Sequence, residues 1–510
     1  MKCLAYSVVS RTGDARIDTA AEKRCQTPIL GYYSSHNSDM RMKAIQQIVI
    51  GSMVALVLQI QGVGLQSSSG VPADSEIRRM LVDRVDKYRQ SVGIVVGVIE
   101  PQGRRIISYG RLGSGDARPL DGDTVFEIGS ITKVFTSLLL ADMVQRGEVG
   151  LTDPVAKYLP AKVRMPEREG EQITLKDLAT HTSALPRMPL NVDPADPANP
   201  FADYSVNQLY EFLSSYQLPR NIGSRFEYSN TGGALLGHAL AQRAGMEYGA
   251  LVEARITDPL GMKSTRIQLT PEMAARLAAG HAYGLTPTPN WDLGALVGAG
   301  ALRSTTNDLL KFLAASLGYN ETPLARAMAS MLKNRRDTGQ GEIGLGWFVE
   351  KRQGAEIVFH GGNTGGYRSF IGYDPNARVG VVVLSNTGTG AGIDDIGMHL
   401  LNARSPLLSS EALEPARERK EVMVDPELLD RYVGRYQFPT LQKATVTRQS
   451  GHLLLQGEGE VRIEFYPESP RDFFAKIMDA QITFEADPQG RITELLFSRS
   501  GSVQHVRRIE

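Results

Sequence analysis

Thiols are almost absent from this chain. Of its 510 residues only two are cysteine, Cys3 and Cys25, both within the first 25 positions. The rest therefore carries no disulfide framework, no Cys-ligated zinc and no cysteine nucleophile. The H-E-x-x-H pattern of helical zinc hydrolases is missing as well. Charge of one sign is not in excess: Lys+Arg and Asp+Glu both number 56, a formal net charge of zero. Proteins that bind nucleic acid draw much of their affinity from basic side chains on phosphates, so no nucleic-acid partner is expected. Neither a metal nor a cofactor is expected. At 42% hydrophobic and 22% charged, the composition is that of a globular protein. At roughly 150 residues per domain its length suggests about three units.

Long apolar runs are scarce too. Ile48–Leu58 is uniformly apolar or small, follows the basic stretch Met40-Arg-Met-Lys43 and precedes the small residues Gly62-Val-Gly64. That order is the order of a secretory signal, with Met40 or Met42 as its start. Gln46, Gln47, Gln59 and Gln61 interrupt any longer span, which argues against a membrane anchor over residues 44–65. No cysteine follows the run to carry a lipid. The expected location is periplasmic or secreted.

Further along, Ile77, Met80, Leu81 and Val85 recur at helical spacing. Val92–Glu100 is a β-branched run that Pro101-Gln-Gly103 turns into Arg105–Tyr109, a hairpin. From Phe126 to Leu317 the pattern is mostly helical, broken by loops such as Pro186–Pro200. Strand character returns at Glu356–Phe359, Ser369–Tyr373 and Val379–Leu384. Strands at both ends with helices between them predict one antiparallel sheet whose first and last strands meet. Arg404–Asp425, with the charged run Arg417–Glu421, reads as a solvated linker. Beyond Tyr432 short alternating segments recur, separated by turns such as Ser450-Gly451 and Pro488-Gln-Gly490. Seven or eight such strands predict a small β-barrel.

The nucleophile elbow G-x-S-x-G does not occur. Ser130-Ile-Thr-Lys133 does, just after Gly129 and at the start of an apolar helical run. Residues three apart share a helix face, so the Lys133 side chain lies beside the Ser130 hydroxyl. Ser130 would sit at the helix N-terminus, where the dipole favours developing negative charge. The pattern is not specific by itself, because Ser330-Met-Leu-Lys333 is a second copy. Tyr228-Ser-Asn230 and His360-Gly-Gly362 are each the one instance of Y-x-N and H-x-G in the chain.

In that order the three motifs resemble those of the penicillin-recognising serine hydrolases: class C β-lactamases, low-molecular-weight DD-peptidases, D-aminopeptidases and related esterases. The phrases Ile173–Ser183 and Asp258-Pro-Leu-Gly-Met262 are similar to the same family. The tail resembles the lipocalin-like barrels appended to some members. The resemblance implies an α+β (α/β) fold: a β-lactamase/transpeptidase-like domain with an antiparallel sheet flanked by helices, then a small antiparallel β-barrel. The domain expectation is an extension and signal peptide over 1–65, a catalytic domain over 66–405, a linker over 406–424 and a barrel over 425–510.

Carried over motif by motif, the resemblance makes Ser130 the nucleophile and Lys133 its partner in removing the serine proton. Tyr228, with its pKa lowered by the nearby cation, shuttles that proton to the leaving group. Asn230 holds the substrate amide, and His360 recognises a carboxylate or tunes Tyr228. The backbone N–H groups of Ser130 and of Asn363, just beyond Gly362, form the oxyanion hole. The expected substrates are D-alanyl peptides (DD-carboxypeptidase or endopeptidase action) and β-lactams. Esterase action on small acyl esters and a silent penicillin-binding role are the alternatives. His360 stands where a class C β-lactamase typically carries lysine, which tilts the expectation toward peptidase over efficient lactamase. His181 reads as a structural hydrogen-bonder, and Trp291 and Trp347 as packing or pocket-wall residues.

Overall fold

A computed structural model describes residues 70–510 apart from residue 390 and residues 414–418, 440–442, 459–461, 477–479 and 500–501. The expected signal segment and both cysteines lie outside the described residues. Helix α1 (Asp74–Val82) buries Ile77, Met80 and Leu81, the stripe read from the sequence. Strands β1 (Gly93–Glu100) and β2 (Gly103–Gly113) form the hairpin, with Ile94 opposite Tyr109 and Glu100 opposite Gly103. A short β3 (Asp116–Pro119) continues the edge. Next come helices α2 (Thr132–Gln145), α3 (Asn230–Ala244) and α4 (Thr306–Ser316).

The chain then returns to the sheet through β4 (Arg336–Asp337), β5 (Glu342–Ile343), β6 (Phe348–Arg352), β7 (Ala355–Asn363), β8 (Arg368–Asp374) and β9 (Val379–Ser385). The nine strands run in the order β3-β2-β1-β9-β8-β7-β6-β5-β4. First and last meet as expected: β1 pairs antiparallel with β9, Ile94 facing Ser385 and Val98 facing Val381. Alternation in β1 separates two cores. Ile94, Val96 and Val98 point to the face covered by α1 and α5 (Asp394–Leu401), where Ile77, Leu81, Ile396 and Leu400 await them. Val95 and Ile99 point the other way, into the larger core with Phe135, Leu139 and Leu313 from α2 and α4. Each such aliphatic side chain contributes about 1.5–3 kcal/mol on burial, so the sheet register is set from both faces.

Eight strands make the C-terminal barrel: β10 (Gly434–Gln437), β11 (Lys443–Gln449), β12 (His452–Gly457), β13 (Ile463–Pro467), β14 (Asp472–Phe474), β15 (Ala480–Ala486), β16 (Ile492–Arg499) and β17 (Ser502–Arg508). It is closed, Tyr436 of β10 pairing with Arg508 of β17. Its interior is filled by Tyr436, Leu453, Phe465, Phe473, Phe484 and Leu495. An eight-stranded barrel is narrow enough for its side chains to fill. In the segment leading into it Lys420 and Glu421 are exposed, as the charged run predicts, and Arg419 is half-buried. Arg419 pairs with Glu468 at 2.7 Å, Glu421 with Lys476 at 2.7 Å, and the Val422 N–H donates to the Pro467 carbonyl at 2.9 Å.

Candidate active site

The Phe126–Lys133 stretch crosses from strand to helix through one tight turn. Gly129 has φ +48°, a left-handed value that glycine adopts without strain. A Cβ there would lie 2.8 Å from the Asn363 amide nitrogen. Gly362 is equally constrained, since its Cβ would fall 2.1 Å from the Ile128 carbonyl. The two glycines let the turn and the end of β7 press backbone to backbone. Ser130 and Asn363, the two residues expected to supply oxyanion donors, are thereby neighbours. A single helical turn (Gly129–Ile131) carries Ser130 and runs directly into α2.

Lys133 is buried in the first turn of α2. Its Nζ lies 3.0 Å from Ser130 Oγ and donates to the Ala299 carbonyl at 2.7 Å. Burial, with help from the Arg187 guanidinium, holds the Lys133 amine well below the usual lysine range. The second S-x-x-K copy differs in kind. Ser330 donates to the Ala327 carbonyl at 2.8 Å, and Lys333 is exposed.

Tyr228 and Asn230 flank the N-cap of α3. The Ser229 hydroxyl accepts from the Gly232 N–H at 2.9 Å and donates to the Pro186 carbonyl at 2.7 Å. This cap, with Ser229 in extended backbone, fixes Tyr228 on one side and the first helical residue, Asn230, on the other. Tyr228 hydrogen-bonds to Ser130, and the Lys133 Nζ sits 5.0 Å from its ring centre. Burial pushes the phenol up to about 12; the Ser130 bond and the Arg187 charge only partly offset it. This corrects the expectation of a lowered tyrosine pKa. Tyr228 therefore keeps its proton at neutral pH, and the group beside Ser130 whose charged form burial disfavours is the Lys133 amine.

His360 lies on β7, 2% exposed, with its ring 6.2 Å from that of Tyr228. Nδ1 is 2.7 Å from the Gly361 carbonyl, so Nδ1 carries the proton and Nε2 is an acceptor. Among the described residues that Nε2 has no hydrogen-bond partner. Burial and the nearby Lys133 push the imidazole down to about 3. A neutral ring offering a lone pair does not capture a carboxylate, so of the two roles expected of His360 only an influence on Tyr228 fits.

Beside Ser130 opens a cleft lined by Asn230 and Asn363 and walled by Met188, Phe201, Trp291 and Leu296. The Asn230 amide nitrogen contacts Met188 Sδ at 3.2 Å. Trp291 is thus a pocket wall, while Trp347 is buried beside Phe312 and Tyr373. Among the described residues no cluster of three or more His, Cys, Asp or Glu is placed to hold a metal ion.

Sequence reasoning missed two supports of this site. Glu127 is buried, and its Oε1 accepts from the Asn290 amide at 3.0 Å, the Trp291 N–H at 3.0 Å and Arg303 at 3.2 Å, fixing the tryptophan wall. Burial raises its carboxyl pKa against the pull of Arg303. Its signal was a lone acid between Phe126 and Ile128 in an otherwise apolar stretch. Arg187 is the second: its carbonyl accepts from the N–H groups of Asn230 at 2.8 Å and Thr231 at 3.2 Å, and its guanidinium lies 5.4 Å from the Tyr228 ring centre.

Comparison with known proteins places the chain by family and fold. The family described as "Beta-lactamase" matches residues 78–423, and a domain of unknown function (DUF3471) matches residues 418–507. The chain is 32% identical over 324 residues to the D-alanyl-D-alanine-carboxypeptidase/endopeptidase AmpH of Escherichia coli K12, covering 59% of this chain and 83% of that protein. It is 26% identical over 433 residues to penicillin-binding protein 4* of Bacillus subtilis, 78% of this chain and 91% of that one. Among solved structures, a class C beta-lactamase from Rhodobacter sphaeroides superposes with a TM-score of 0.55 at 28% identity, over 61% of this chain and 94% of that chain. With three motifs converging on one serine, and a family match over most of the catalytic part, the chain belongs to the beta-lactamase family.

Proposed function

We propose that this serine hydrolase works through an acyl-enzyme on Ser130, with D-alanyl peptides as its main substrates and β-lactams as acylating analogues. The observation that carries the reading is the Lys133 amine. It is buried, held 3.0 Å from Ser130 Oγ, and below its usual pKa for want of solvation. A neutral amine so placed is a general base.

The proton path follows. As Ser130 Oγ bonds to the substrate carbonyl carbon, its proton passes to the Lys133 amine. The carbonyl oxygen gains charge that the N–H groups of Ser130 and Asn363 stabilise. When the C–N bond breaks, Tyr228 gives its proton to the leaving nitrogen and regains one from the Lys133 ammonium. Water then takes the place of the leaving amine, and the same groups run in reverse to release the acid. Asn230, one residue beyond the cap of α3, holds the substrate amide. The name of the Escherichia coli relative, a carboxypeptidase/endopeptidase, supports the peptide assignment.

Export completes the reading, supported by the basic Met40–Lys43 flank and the apolar Ile48–Leu58. The mature protein then begins near Gln66 in the periplasm or outside the cell. N-terminal sequencing of the native protein checks this, and a cytoplasmic product that keeps Cys3 and Cys25 contradicts it.

Intact-mass measurement with a fluorescent penicillin, beside D-alanine release from a D-Ala-D-Ala peptide, tests the function. An adduct on Ser130 together with D-alanine release is expected. Turnover of nitrophenyl esters with no penicillin adduct and no D-alanine would instead make the protein an esterase.

A further inference from the structure

The tryptophan wall of the cleft has no helix or strand of its own. Trp291 lies in an irregular stretch, residues 288–293. Two of its ties run to a second irregular stretch, the Pro186–Pro200 loop: the indole N–H donates to the Ala198 carbonyl at 3.1 Å, and the Asp292 N–H to the Asn199 side chain at 2.8 Å. Loops that hold only one another do not fix a position.

The tie to regular structure is a buried carboxylate. Glu127 ends the short strand Val125–Glu127, which pairs with Arg303–Thr305, Glu127 opposite Arg303. It is 4% exposed. Its Oε1 accepts from the Trp291 N–H and the Asn290 side-chain amide, both at 3.0 Å, and from the Arg303 guanidinium at 3.2 Å. The same guanidinium nitrogen donates to the Trp291 carbonyl at 3.0 Å. Both backbone polar groups of Trp291 are thus taken by one ion pair. Three residues beyond Glu127 the same chain places Ser130. The indole in turn rests on the backbone just past Asn363, since a Cβ on Gly365 would fall 2.6 Å from its nitrogen.

We propose that Glu127 is a positioning residue for the acyl half of the substrate: it fixes the Trp291 wall against Ser130, and through that spacing sets which acyl groups are accepted. The inference rests on the Ser130 acyl-enzyme of the reading above. No proton and no bond passes through Glu127. Removing its carboxylate strands the Trp291 N–H, the Asn290 amide and the Arg303 charge together, so the wall loses its anchor at a stroke. A small acyl group that does not reach Trp291 is little affected by slack in the wall. An aryl group that packs on the indole loses that contact.

Two uncharged esters with one leaving group, nitrophenyl phenylacetate and nitrophenyl acetate, test this in wild type, Glu127→Met and Glu127→Gln. The ratio of kcat/KM for phenylacetyl over acetyl is expected to fall about tenfold or more in Glu127→Met, and to recover in part in Glu127→Gln, which keeps one accepting oxygen. Quenching of tryptophan emission by acrylamide should rise in Glu127→Met. Trp291 and Trp347 are the two tryptophans of the chain, and Trp347 is packed elsewhere, against Phe312 and Tyr373. An unchanged ratio in Glu127→Met overturns the proposal, as does a fall in the ratio with no change in quenching. If both esters lose rate in step, Glu127 serves only the turn that carries Ser130, and the proposal also fails. Should Glu127→Met not fold, Glu127→Asp keeps the charge facing Arg303 but withdraws the oxygen by one carbon. The ratio must fall there too, and an unchanged ratio overturns the proposal equally. Ester turnover that survives Ser130→Ala overturns the acyl-enzyme reading itself, a result distinct from an unchanged ratio with Ser130 acylated.

Discussion

The imidazole of His181 lies against the phenol of Tyr228, ring centres 4.4 Å apart and planes tilted by 35°. Its Nδ1 accepts from the Ser229 N–H at 3.1 Å, and its backbone carbonyl accepts from the Glu227 N–H at 2.8 Å. One residue thus grips the chain on both sides of Tyr228. It does so from a left-handed backbone, φ +56°, which costs a non-glycine residue conformational energy. Burial and neighbouring cations hold its ring neutral, as an acceptor must be.

His181 is therefore a positioning residue, and it should report as one. His181→Phe keeps the ring contact but strands the Ser229 N–H, and an unsatisfied buried donor costs about 1–3 kcal/mol. Loss of kcat with little change in KM is expected, of order tenfold or more. His181→Asn, which restores an acceptor, should recover part of it. Equal loss in both variants, or a loss confined to KM, would show that the ring contact or general folding matters and the hydrogen bond does not.

Nucleophile identity separates two serines that look alike in sequence. Ser130→Ala should abolish the penicillin adduct and all turnover. Ser330→Ala removes only a hydroxyl bonded to the Ala327 carbonyl, so its rates should stay within about twofold of wild type. Intact mass of both variants after penicillin treatment decides the matter. An adduct that persists in Ser130→Ala and disappears in Ser330→Ala reverses the assignment.

Much of this was legible because it rests on short-range rules. Ser130 and Lys133 lie three apart on a helix, Tyr228 and Asn230 bracket a serine cap, and β1 alternates Ile94, Val96 and Val98 against Val95 and Ile99. What escaped depends on tertiary neighbours. Strands β4 and β5 are two residues each, too short to show a period. Strand β10 completes the barrel from four residues, Gly434–Gln437, with a glycine at its head. The charged run Arg417–Glu421 reads as solvated, and Lys420 and Glu421 are exposed, but the pairing of Arg419 and Glu421 with the barrel is not visible in the sequence. The state of His360 follows from complete burial beside Lys133, which no spacing reveals. Arg187 sits in a proline-flanked loop, where an arginine ordinarily reads as surface.

The pH profile follows from the same burial. Activity needs Lys133 neutral and Tyr228 protonated. As pH falls through the lowered Lys133 pKa the amine takes up a proton and ceases to be a base, so kcat/KM drops on the acid side. The upper limb waits for Tyr228, at about 12, so the rate should stay level through the ordinary alkaline range. His360, at about 3, contributes no limb near 6.5. An uncharged nitrophenyl ester measured between about pH 5 and 10 isolates these groups from substrate charge. His360→Gln should leave the acid limb in place. A limb near 6.5 that vanishes in His360→Gln would mean that the imidazole titrates in the working enzyme.

Where the catalytic part ends can be tested by cutting the chain. The segment beyond α5 is bound to it: the His399 ring nitrogen meets the Ser405 carbonyl at 2.7 Å, and the Leu408 N–H donates to Asp395 at 2.8 Å. Asp395 also pairs with the buried Arg84. The Gln90 amide donates to the Leu413 carbonyl at 3.3 Å, and the Leu413 side chain is buried. From Arg419 onward the contacts are instead with the barrel. A chain ending at Ser405 forfeits a buried leucine and two hydrogen bonds, at least about 2 kcal/mol, and should melt several degrees below one ending at Leu413. Among the described residues, Arg462 of the barrel meets Asp193 of the Pro186–Pro200 loop, 3.8 Å apart and both well exposed. Losing that pair costs the catalytic part about 0–1 kcal/mol. Because every residue lining the Ser130 cleft lies between 129 and 364, the chain ending at Leu413 is expected to acylate with penicillin at a rate close to that of the full-length chain. KM for longer peptides should shift more, because Asp193 shares its loop with Met188. Calorimetry and penicillin acylation on the two truncations check both statements. If the chain ending at Leu413 folds but takes up no penicillin, the barrel completes the active site and the two parts form one functional unit.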